Sequence, residues 1–206
     1  MTVVATPTGT KRRILREAAA LYRRHGFNGT SMQDVATAVG ITKSSLYHHF
    51  PKKQALLLEI VELTVDRVTP AVRTIAESNL PATERLVRAV AMHIVEALRH
   101  QDNVACFIEE GRYLDPASRE GFFAKRDRYE QYFRSILDDG VRSREFRQHD
   151  VRLAALAILG MANSVVKWYS PDGPHSPEAI AEELAGYAVR SVALNGSSAT
   201  DAWDGM

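Results

Sequence analysis

Residues 26–50 read GFNGTSMQDVATAVGITKSSLYHHF, and this stretch decides the fold of the N-terminal part of the chain. Apolar residues at helical spacing predict one short helix, with Thr30 and Gln33 as its capping box. Gly40 stands where a tight turn between two helices needs a residue without a Cβ atom. A further short helix is then predicted over about residues 42–48. The residues expected to face the core are Met32, Val35, Ala36, Val39, Leu46 and Phe50.

The two short helices and their turn have the form of a helix-turn-helix, whose second helix enters the major groove of DNA. The side chains predicted on the outside of that helix are mostly small or polar, so its backbone can approach base edges. Tyr47, Lys52 and Lys53 suit phosphate contacts, and the two lysines lie where the next helix begins. The alternative is an ordinary helix pair with a polar outer face. The outer residues are Thr42, Lys43, Ser44, Ser45, Tyr47 and His48.

Charge is distributed unevenly along the chain, although the net charge is only +1. Up to Leu58 there are nine Lys and Arg residues against two acidic residues, Glu17 and Asp34, which gives a net charge of +7. The remainder has 17 basic and 23 acidic residues, a net charge of −6. A basic front section on an acidic body favours a polyanion-binding module. The alternative is that these charges only solvate helix faces.

The stretch from Gly26 to Leu56 resembles the DNA-binding domain of the tetracycline-repressor (TetR) family almost position by position. The resemblance implies an Ω-shaped homodimer, in which each recognition helix reads half of a palindromic operator, and a ligand pocket in the C-terminal domain. Pro51 departs from the small polar residue that is frequent there, but proline is tolerated at a first helical position. The family pattern places DNA contacts at Thr30, Thr42, Lys43, Ser44, Ser45, Tyr47, His48 and Lys52.

The whole chain is predicted to be all-α, with about nine helices in two modules. We assign residues 1–55 to a three-helix DNA-binding domain, 56–196 to a helical ligand-binding and dimerisation domain, and 197–206 to a disordered tail. The first helix is expected to end at His25-Gly26, and Pro70 is expected to kink or break the fourth. Later helices are predicted over residues 81–99, 104–114, 116–141, 151–169 and 177–195.

The helix predicted from Val151 to Tyr169 is apolar almost all round, so it should be buried on several sides. The TetR resemblance implies that the last two helices of each subunit form a four-helix dimer interface. The alternative is that these residues pack only inside one monomer. The interface residues are Leu153, Leu156, Met161, Ile180, Leu184 and Tyr187, with Ile158, Leu159, Val189 and Val192.

The stretch from Asn163 to Pro174 is similar to the end of the penultimate helix in regulators of fatty-acid or sterol breakdown that respond to acyl-CoA thioesters. The resemblance implies an apolar acyl effector carried as a CoA thioester. Lys167 suits pairing with its phosphate, and Trp168 suits either stacking on its ring or lying along the ligand. The alternative is that Trp168 plugs the domain end and that most of the set is plain core. Lys167 joins the ligand set through its charge, and helical spacing selects Met92, His93, Glu96, Phe107, Glu110, Tyr113, Phe122, Tyr129, Phe133, Asn163 and Trp168.

Sequence patterns of catalysis and metal binding are missing, including His-Glu-x-x-His, Cys-x-x-Cys, Gly-x-Ser-x-Gly and the phosphate-binding loop. Glu109 and Glu110 are adjacent, so on a helix they point about 100° apart and share no site easily. We therefore expect no enzyme activity, cofactor or metal. A helical DNA-binding or interaction module without a ligand is the alternative function, and activation is the alternative to repression.

Three features of the sequence indicate the cellular compartment of the protein. Cys106 is the single cysteine, which excludes an internal disulfide and fits a reducing cytosol. Residues 1–10 lack the pattern of a signal peptide. The apolar run at 151–166 contains Arg152 and is shorter than the roughly 20 residues of a membrane span. We expect a soluble cytoplasmic protein without a membrane partner.

Overall fold

The computed structural model describes residues 9–194, and this part of the chain forms nine α-helices and one 3-10 helix. Strand pairing in this range is limited to an isolated bridge between Phe146 and Ala193. The predicted all-α class is confirmed, and the predicted disordered tail at 197–206 lies outside the described residues. The helices are α1 (Gly9–Gly29), α2 (Met32–Val39), α3 (Lys43–His49), α4 (Lys53–Ala76), α5 (Ala82–Arg99), α6 (Gln101–Glu110) with a 3-10 turn at Gly111–Tyr113, α7 (Pro116–Arg142), α8 (Val151–Trp168) and α9 (Pro177–Val192).

The described chain divides into two compact units, and α4, α5 and α7 contribute residues to both. Unit 1 contains residues 9–68 and 99–127, so it holds the helix-turn-helix, α6 and the first part of α7. Unit 2 contains residues 69–98 and 128–194, which include α8 and α9. The domain boundary between residues 55 and 56 stays a prediction.

In unit 1, α1 is interrupted at Gly26, where the sequence predicts its end. Gly26 has φ +73° and ψ 162°, a backbone conformation that is essentially restricted to glycine. Tyr22 and Phe27, on either side of the interruption, are both buried. Their rings meet edge to face with 5.4 Å between centroids. The interruption therefore redirects the chain while both aromatic rings stay in the core.

The N-terminus of α2 is capped one residue later than predicted, by Ser31 and Asp34 and not by Thr30 and Gln33. Ser31 Oγ accepts from Asp34 N (3.1 Å), and Asp34 Oδ2 accepts from Ser31 N (2.7 Å). Thr30 does not serve as the cap because its side chain is buried and its hydroxyl donates to Gly26 O (3.0 Å). The predicted capping pair is therefore wrong by one position.

The turn between α2 and α3 has the conformation that the sequence predicts. Gly40 adopts the left-handed conformation, with φ 72° and ψ 38°, and ends α2. Ile41 N then donates to Ala36 O at 3.0 Å, which closes the turn. The predicted inner face is confirmed, because all six of its residues are buried: Met32, Val35, Ala36, Val39, Leu46 and Phe50.

Helix α4 continues through Pro70, which the sequence analysis expected to kink or break it. The helix runs over Lys53–Ala76 with Pro70 inside. A proline in a helix removes one backbone hydrogen bond and costs about 3 kcal/mol. Val72 lies beyond the proline and is fully buried, and burial of a valine contributes about 1.5–3 kcal/mol. Packing after the proline thus offsets much of the cost. The expected break does not occur, and the kink stays a prediction.

In unit 2 the segment after α7 caps α5. The Glu145 carboxylate accepts from Ala82 N (3.0 Å) and Thr83 N (2.9 Å), two of the N–H groups that a helix start leaves unpaired. Burial alone would raise the pKa of Glu145, but hydrogen bonds from Thr83, Ala82 and Ser143 outweigh it and lower the pKa. Glu145 therefore stabilises the start of α5 in its ionised form.

Replacing Glu145 with Ala is expected to lower the free energy of unfolding by about 0.5–2 kcal/mol at pH 7. Because the folded-state pKa is lowered, the stabilisation is present above the unfolded-state pKa of about 4.3 and is lost as pH falls through the folded pKa. Urea unfolding at fixed protein concentration measures the difference.

The control for this prediction is Glu182→Ala, since Glu182 is exposed on α9. It should change the free energy of unfolding by less than about 0.5 kcal/mol. Equal effects of the two variants, or a Glu145→Ala effect that does not shrink in acid, would contradict the capping role.

Candidate nucleic-acid interface and ligand site

The outer face of α3 is exposed because its inner face is anchored in unit 1. Leu46 is fully buried and Phe50 is 2% exposed. Thr42 caps the helix, with its side chain accepting from Ser45 N at 3.1 Å. The structure brings six of the predicted DNA contacts to this helix and its cap. Of these, Thr42, Lys43, Ser44, Tyr47 and His48 are exposed, and Ser45 is half-buried.

The other two predicted DNA contacts, Thr30 and Lys52, lie outside α3. The Lys52 side chain is 66% exposed, and its Nζ lies 3.5 Å from Asp115 Oδ2. This loose ion pair leaves the ammonium largely open to solvent. The Thr30 hydroxyl is buried and donates to Gly26 O, so a phosphate contact from this hydroxyl would require that bond to open. Both assignments stay predictions.

Lys53 differs from Lys52, although the sequence analysis assigned both lysines to phosphate. The Lys53 ammonium donates to Phe27 O and lies 4.1 Å from the centroid of the Phe27 ring. Burial lowers the pKa of Lys53, and the charges of Glu110 and Asp34 oppose this effect. Lys53 is therefore engaged in the junction between α1 and α2. Its phosphate contact stays a prediction.

Glu110 contacts the same junction from α6. It is 6% exposed, and its Oε2 accepts from Phe27 N at 3.1 Å. Tyr113 stacks on the Phe27 ring, with 5.8 Å between centroids and 18° between planes. Both residues were predicted to lie in the ligand site, and neither of these contacts was predicted. No pattern could have shown the Glu110 bond, because its partner is 83 positions away.

Folding also changes the charge balance that the sequence suggests. Within unit 1, three basic residues of the front section pair with acids from beyond Leu58. Unit 1 as a whole contains 15 Lys and Arg residues and 11 Asp and Glu residues, which gives a net charge of +4. The rest of the chain contains 11 Lys and Arg residues and 14 Asp and Glu residues, which gives a net charge of −3. Unit 1 is therefore still basic, but its net charge is smaller than the +7 counted along the sequence up to Leu58. The pairs are Lys11–Glu59, Arg23–Asp102 and Lys52–Asp115.

In unit 2, three predicted ligand residues surround a fourth, the buried His93. His93 Nδ1 lies 2.7 Å from Tyr129 Oη, and His93 Nε2 lies 3.1 Å from Asn163 Oδ1. The Phe133 ring approaches His93 edge-on at 6.2 Å between centroids. Burial lowers the pKa of His93 to about 4, against the opposing effect of the Asn163 bond. The ring is thus neutral at pH 7; Nε2 then donates to Asn163, and Nδ1 accepts from the Tyr129 hydroxyl.

The remaining predicted ligand residues are distributed over both units. Phe107, Glu110, Tyr113 and Phe122 belong to unit 1, where Phe107 and Phe122 meet edge to face at 5.3 Å. In unit 2, Met92 and Glu96 are half-buried, and Lys167 and Trp168 are exposed at the end of α8. Among residues 9–194, no three His, Cys, Asp or Glu side chains are grouped as a metal site. The ligand roles stay predictions.

Helices α8 and α9 pack against each other in unit 2 and leave apolar surface uncovered. Of the predicted interface residues, Leu153 is 63% exposed, Leu156 44% and Tyr187 48%. Met161 and Leu184 are half-buried, as is Val189. Four others already pack within the single chain: Ile158, Leu159, Ile180 and Val192.

The uncovered surface forms one continuous side of α8. Leu153, Leu156, Ala157 and Gly160 are exposed and follow the spacing of a single helical face. We call these four residues the α8 apolar face. By length and composition alone α8 could cross a membrane, with 18 residues and a mean hydropathy of 1.3, and 28% of it is buried. The α8 apolar face is therefore exposed in the single chain.

Two protein-family models match this chain, one for each part of its sequence. Residues 14–60 match the model of bacterial regulatory proteins of the tetR family, and residues 79–192 match the tetracyclin repressor-like C-terminal domain. The chain is 27% identical over 188 residues to the HTH-type transcriptional repressor KstR2 of Rhodococcus jostii strain RHA1, covering 90% of this chain and 92% of that protein.

Two solved structures extend the comparison. The TetR family transcriptional regulator PfmR from Thermus thermophilus has a TM-score of 0.80 and 36% identity, covering 86% of this chain and 97% of PfmR. AibR in complex with isovaleryl coenzyme A and operator DNA has a TM-score of 0.79 and 29% identity, covering 86% of this chain and 97% of AibR. The C-terminal match alone spans more than half of this chain, and the N-terminal match includes α2 and α3. The chain belongs to the TetR family of bacterial regulatory proteins.

Proposed function

We propose that this protein is a cytoplasmic, ligand-responsive transcriptional repressor that binds a palindromic operator as a homodimer. The observation that carries the proposal is the outer face of α3, where exposed small and polar side chains lie opposite buried Leu46 and Phe50. Similarity to the repressor KstR2 and to AibR with operator DNA supports it. Activation, or DNA binding without a ligand, is the competing function.

The arrangement of α3 suits the reading of base edges. Lys43 and Ser44 stand in its first turn, the part of a recognition helix that contacts bases. Tyr47 and Lys52 are exposed further along and suit phosphate contacts. Base contacts specify the site, whereas phosphate contacts position the protein and release counterions.

Selection from a random duplex library is expected to recover a palindromic site, whose affinity for the protein falls steeply with salt concentration. Transcription in vitro from a promoter carrying that site separates repression from activation. Failure to enrich any duplex, or binding that is insensitive to salt, would contradict the DNA-binding function.

Substitutions on α3 and at the start of α4 should separate the two kinds of DNA contact. Lys43→Ala is expected to change which sequences are selected, with a loss of about 1–3 kcal/mol at the affected base pair. Tyr47→Ala and Lys52→Ala are expected to weaken binding to all duplexes. Repeated selection and salt titration of each variant measure these effects. An unchanged selected operator for Lys43→Ala would show that this lysine does not read bases.

The occupant that we propose for the α8 apolar face is a second copy of the chain. Leu153, Leu156 and Tyr187 expose large apolar side chains on the last two helices, which is typical of a subunit interface. Gly160 lies in the same face. A Cβ atom added there would meet no neighbouring atom outside its own helical turn within 4 Å, so a second helix could approach closely. Arg190 lies 4.6 Å from the Tyr187 ring centroid and keeps the rim of the surface polar.

Leu156→Asp is expected to dissociate or unfold the dimer, because a carboxylate would be buried without a partner in the interface. Light scattering at micromolar concentration measures the oligomeric state. The matched control is Val87→Asp on α5, since Val87 is also an exposed apolar residue of unit 2, at 37%. A folded wild-type monomer, or the same effect from both substitutions, would contradict the proposed interface.

The effector class that we propose is a bulky apolar acyl group carried as a CoA thioester. The AibR complex with isovaleryl coenzyme A supports this class. In unit 2, His93, Tyr129 and Asn163 supply a few polar groups, with Phe133 beside them, which is the mixture that ligand sites use. An effector must bind the DNA-incompetent state more tightly than the competent state, since equal affinity would shift nothing.

Acyl-CoAs of graded length and sterol-derived CoA esters are expected to release the protein from its operator, whereas free CoA and free acids are not. His93→Leu should raise the concentration for half release by about tenfold, because Tyr129 and Asn163 lose the hydrogen bonds that hold them in place. The control is His175→Leu, in the exposed segment before α9. Release by an unrelated apolar compound alone would overturn the acyl-CoA class and keep the sensor function.

A further inference from the structure

Two side chains hold the peptide groups of a single residue, Phe27, at the junction of α1 and α2. Glu110 Oε2 accepts from Phe27 N at 3.1 Å, and the Lys53 ammonium donates to Phe27 O. We call Phe27, Lys53 and Glu110 the junction clamp. Phe27 and Lys53 lie in the N-terminal family segment, whereas Glu110 lies in the C-terminal one. All three residues belong to unit 1.

The clamp meets a need that the interruption at Gly26 creates. The helical conformation of α1 is broken at Gly26, immediately before Phe27. Phe27 is 6% exposed, so bulk water cannot satisfy its N–H group. A carboxylate is a strong acceptor for such a group. The Phe27 ring is held as well, by Tyr113 on one side and by the Lys53 ammonium at 4.1 Å.

The position of Phe27 determines where α2 begins. Thr30 N donates to Phe27 O (3.3 Å), and the Thr30 hydroxyl donates to Gly26 O (3.0 Å). Ser31 follows directly as the N-cap of α2. The turn at Gly40 then joins α2 to α3. A continuous series of short contacts thus runs from Glu110 on α6 to the helix that reads DNA.

We infer that Glu110 is a positioning residue for operator recognition: through the Phe27 N–H it holds α2 and α3 in the orientation that reads bases. The inference rests on the proposed DNA-binding function. Glu110 acts at a distance from the DNA, because its carboxylate is buried against Phe27. Its loss should therefore reduce the preference for the operator and leave phosphate-driven, non-specific binding in place.

The experiment compares binding of the full-length protein to its selected operator and to a scrambled duplex of the same length, by fluorescence anisotropy. Glu110→Ala is expected to weaken operator binding by about tenfold or more, because the Phe27 N–H loses its acceptor. Its affinity for the scrambled duplex should stay within about threefold of the wild type. Glu110→Gln keeps an acceptor oxygen and should restore operator binding to within about threefold.

Two control variants separate this role from general damage to the core. Glu109→Ala removes the exposed neighbouring carboxylate on α6 and should leave both affinities unchanged. Tyr22→Phe removes a buried hydroxyl that has no hydrogen-bond partner, so it should also leave operator preference unchanged. Amide hydrogen exchange adds a readout on the wild type itself, in which the Phe27 N–H should exchange slowly.

The inference is overturned if Glu110→Ala retains wild-type operator preference, if it loses both duplexes in parallel, or if Glu110→Gln is as defective as Glu110→Ala. Rapid exchange of the Phe27 amide in the wild type would overturn it even where Glu110→Ala does not fold. A wild-type protein that prefers no duplex would instead refute the proposed function. Failure of the positioning role and failure of DNA recognition are thus distinguishable.

Discussion

The peptide groups around Gly26 must be hydrogen-bonded although they lie in the protein interior and outside a regular helix. This requirement is the constraint on which the DNA-reading part of the molecule depends. An unpaired buried N–H or C=O costs about 1–3 kcal/mol, a large share of the stability of a domain. Thr30, Lys53 and Glu110 meet the requirement with one hydroxyl, one ammonium and one carboxylate. Because these side chains come from three parts of the chain, the start of α2 is fixed by tertiary contacts.

In unit 2 a buried polar cluster around His93 is hydrogen-bonded, whereas an apolar surface is left exposed. His93 uses both ring nitrogens in bonds to Tyr129 and Asn163, and its lowered pKa keeps the ring neutral. The α8 apolar face, in contrast, is exposed to water in the single chain. The hydrophobic effect favours covering such a face, and a second subunit is the cover that we propose. The internal network and the outer face lie on one helix, because Asn163 also belongs to α8.

The distribution of charge also differs between the linear sequence and the folded chain. The front section is strongly basic when counted along the sequence, but Glu59, Asp102 and Asp115 fold against it. Lys43 is exposed on α3, and Lys52 has only a loose ion pair. Accessible basic groups therefore remain at α3 and at the start of α4, where a polyanion would bind.

Local patterns in the sequence by themselves determined most of the fold. Apolar spacing identified the inner faces of α2 and α3, and Gly40 supplied their turn. The predicted starts at residues 151 and 177 agree with those of α8 and α9, which Asp150 and Ser176 cap. These features act over a few residues, so they can be read without knowledge of the fold. The exposed residues of α3 could be predicted for the same reason, since a buried inner face implies the outer one.

Only the tertiary structure decided the features that depend on partners distant in sequence. The cap of α2 shifted to Ser31 because Thr30 is drawn inward to Gly26. Helix α4 passes through Pro70, and the burial of Val72 just beyond it offsets much of the cost of the proline. Two adjacent lysines have different partners, since Lys53 donates to the Phe27 carbonyl and Lys52 lies near Asp115. Glu110 has its partner 83 residues away, and no local propensity encodes a contact across that separation.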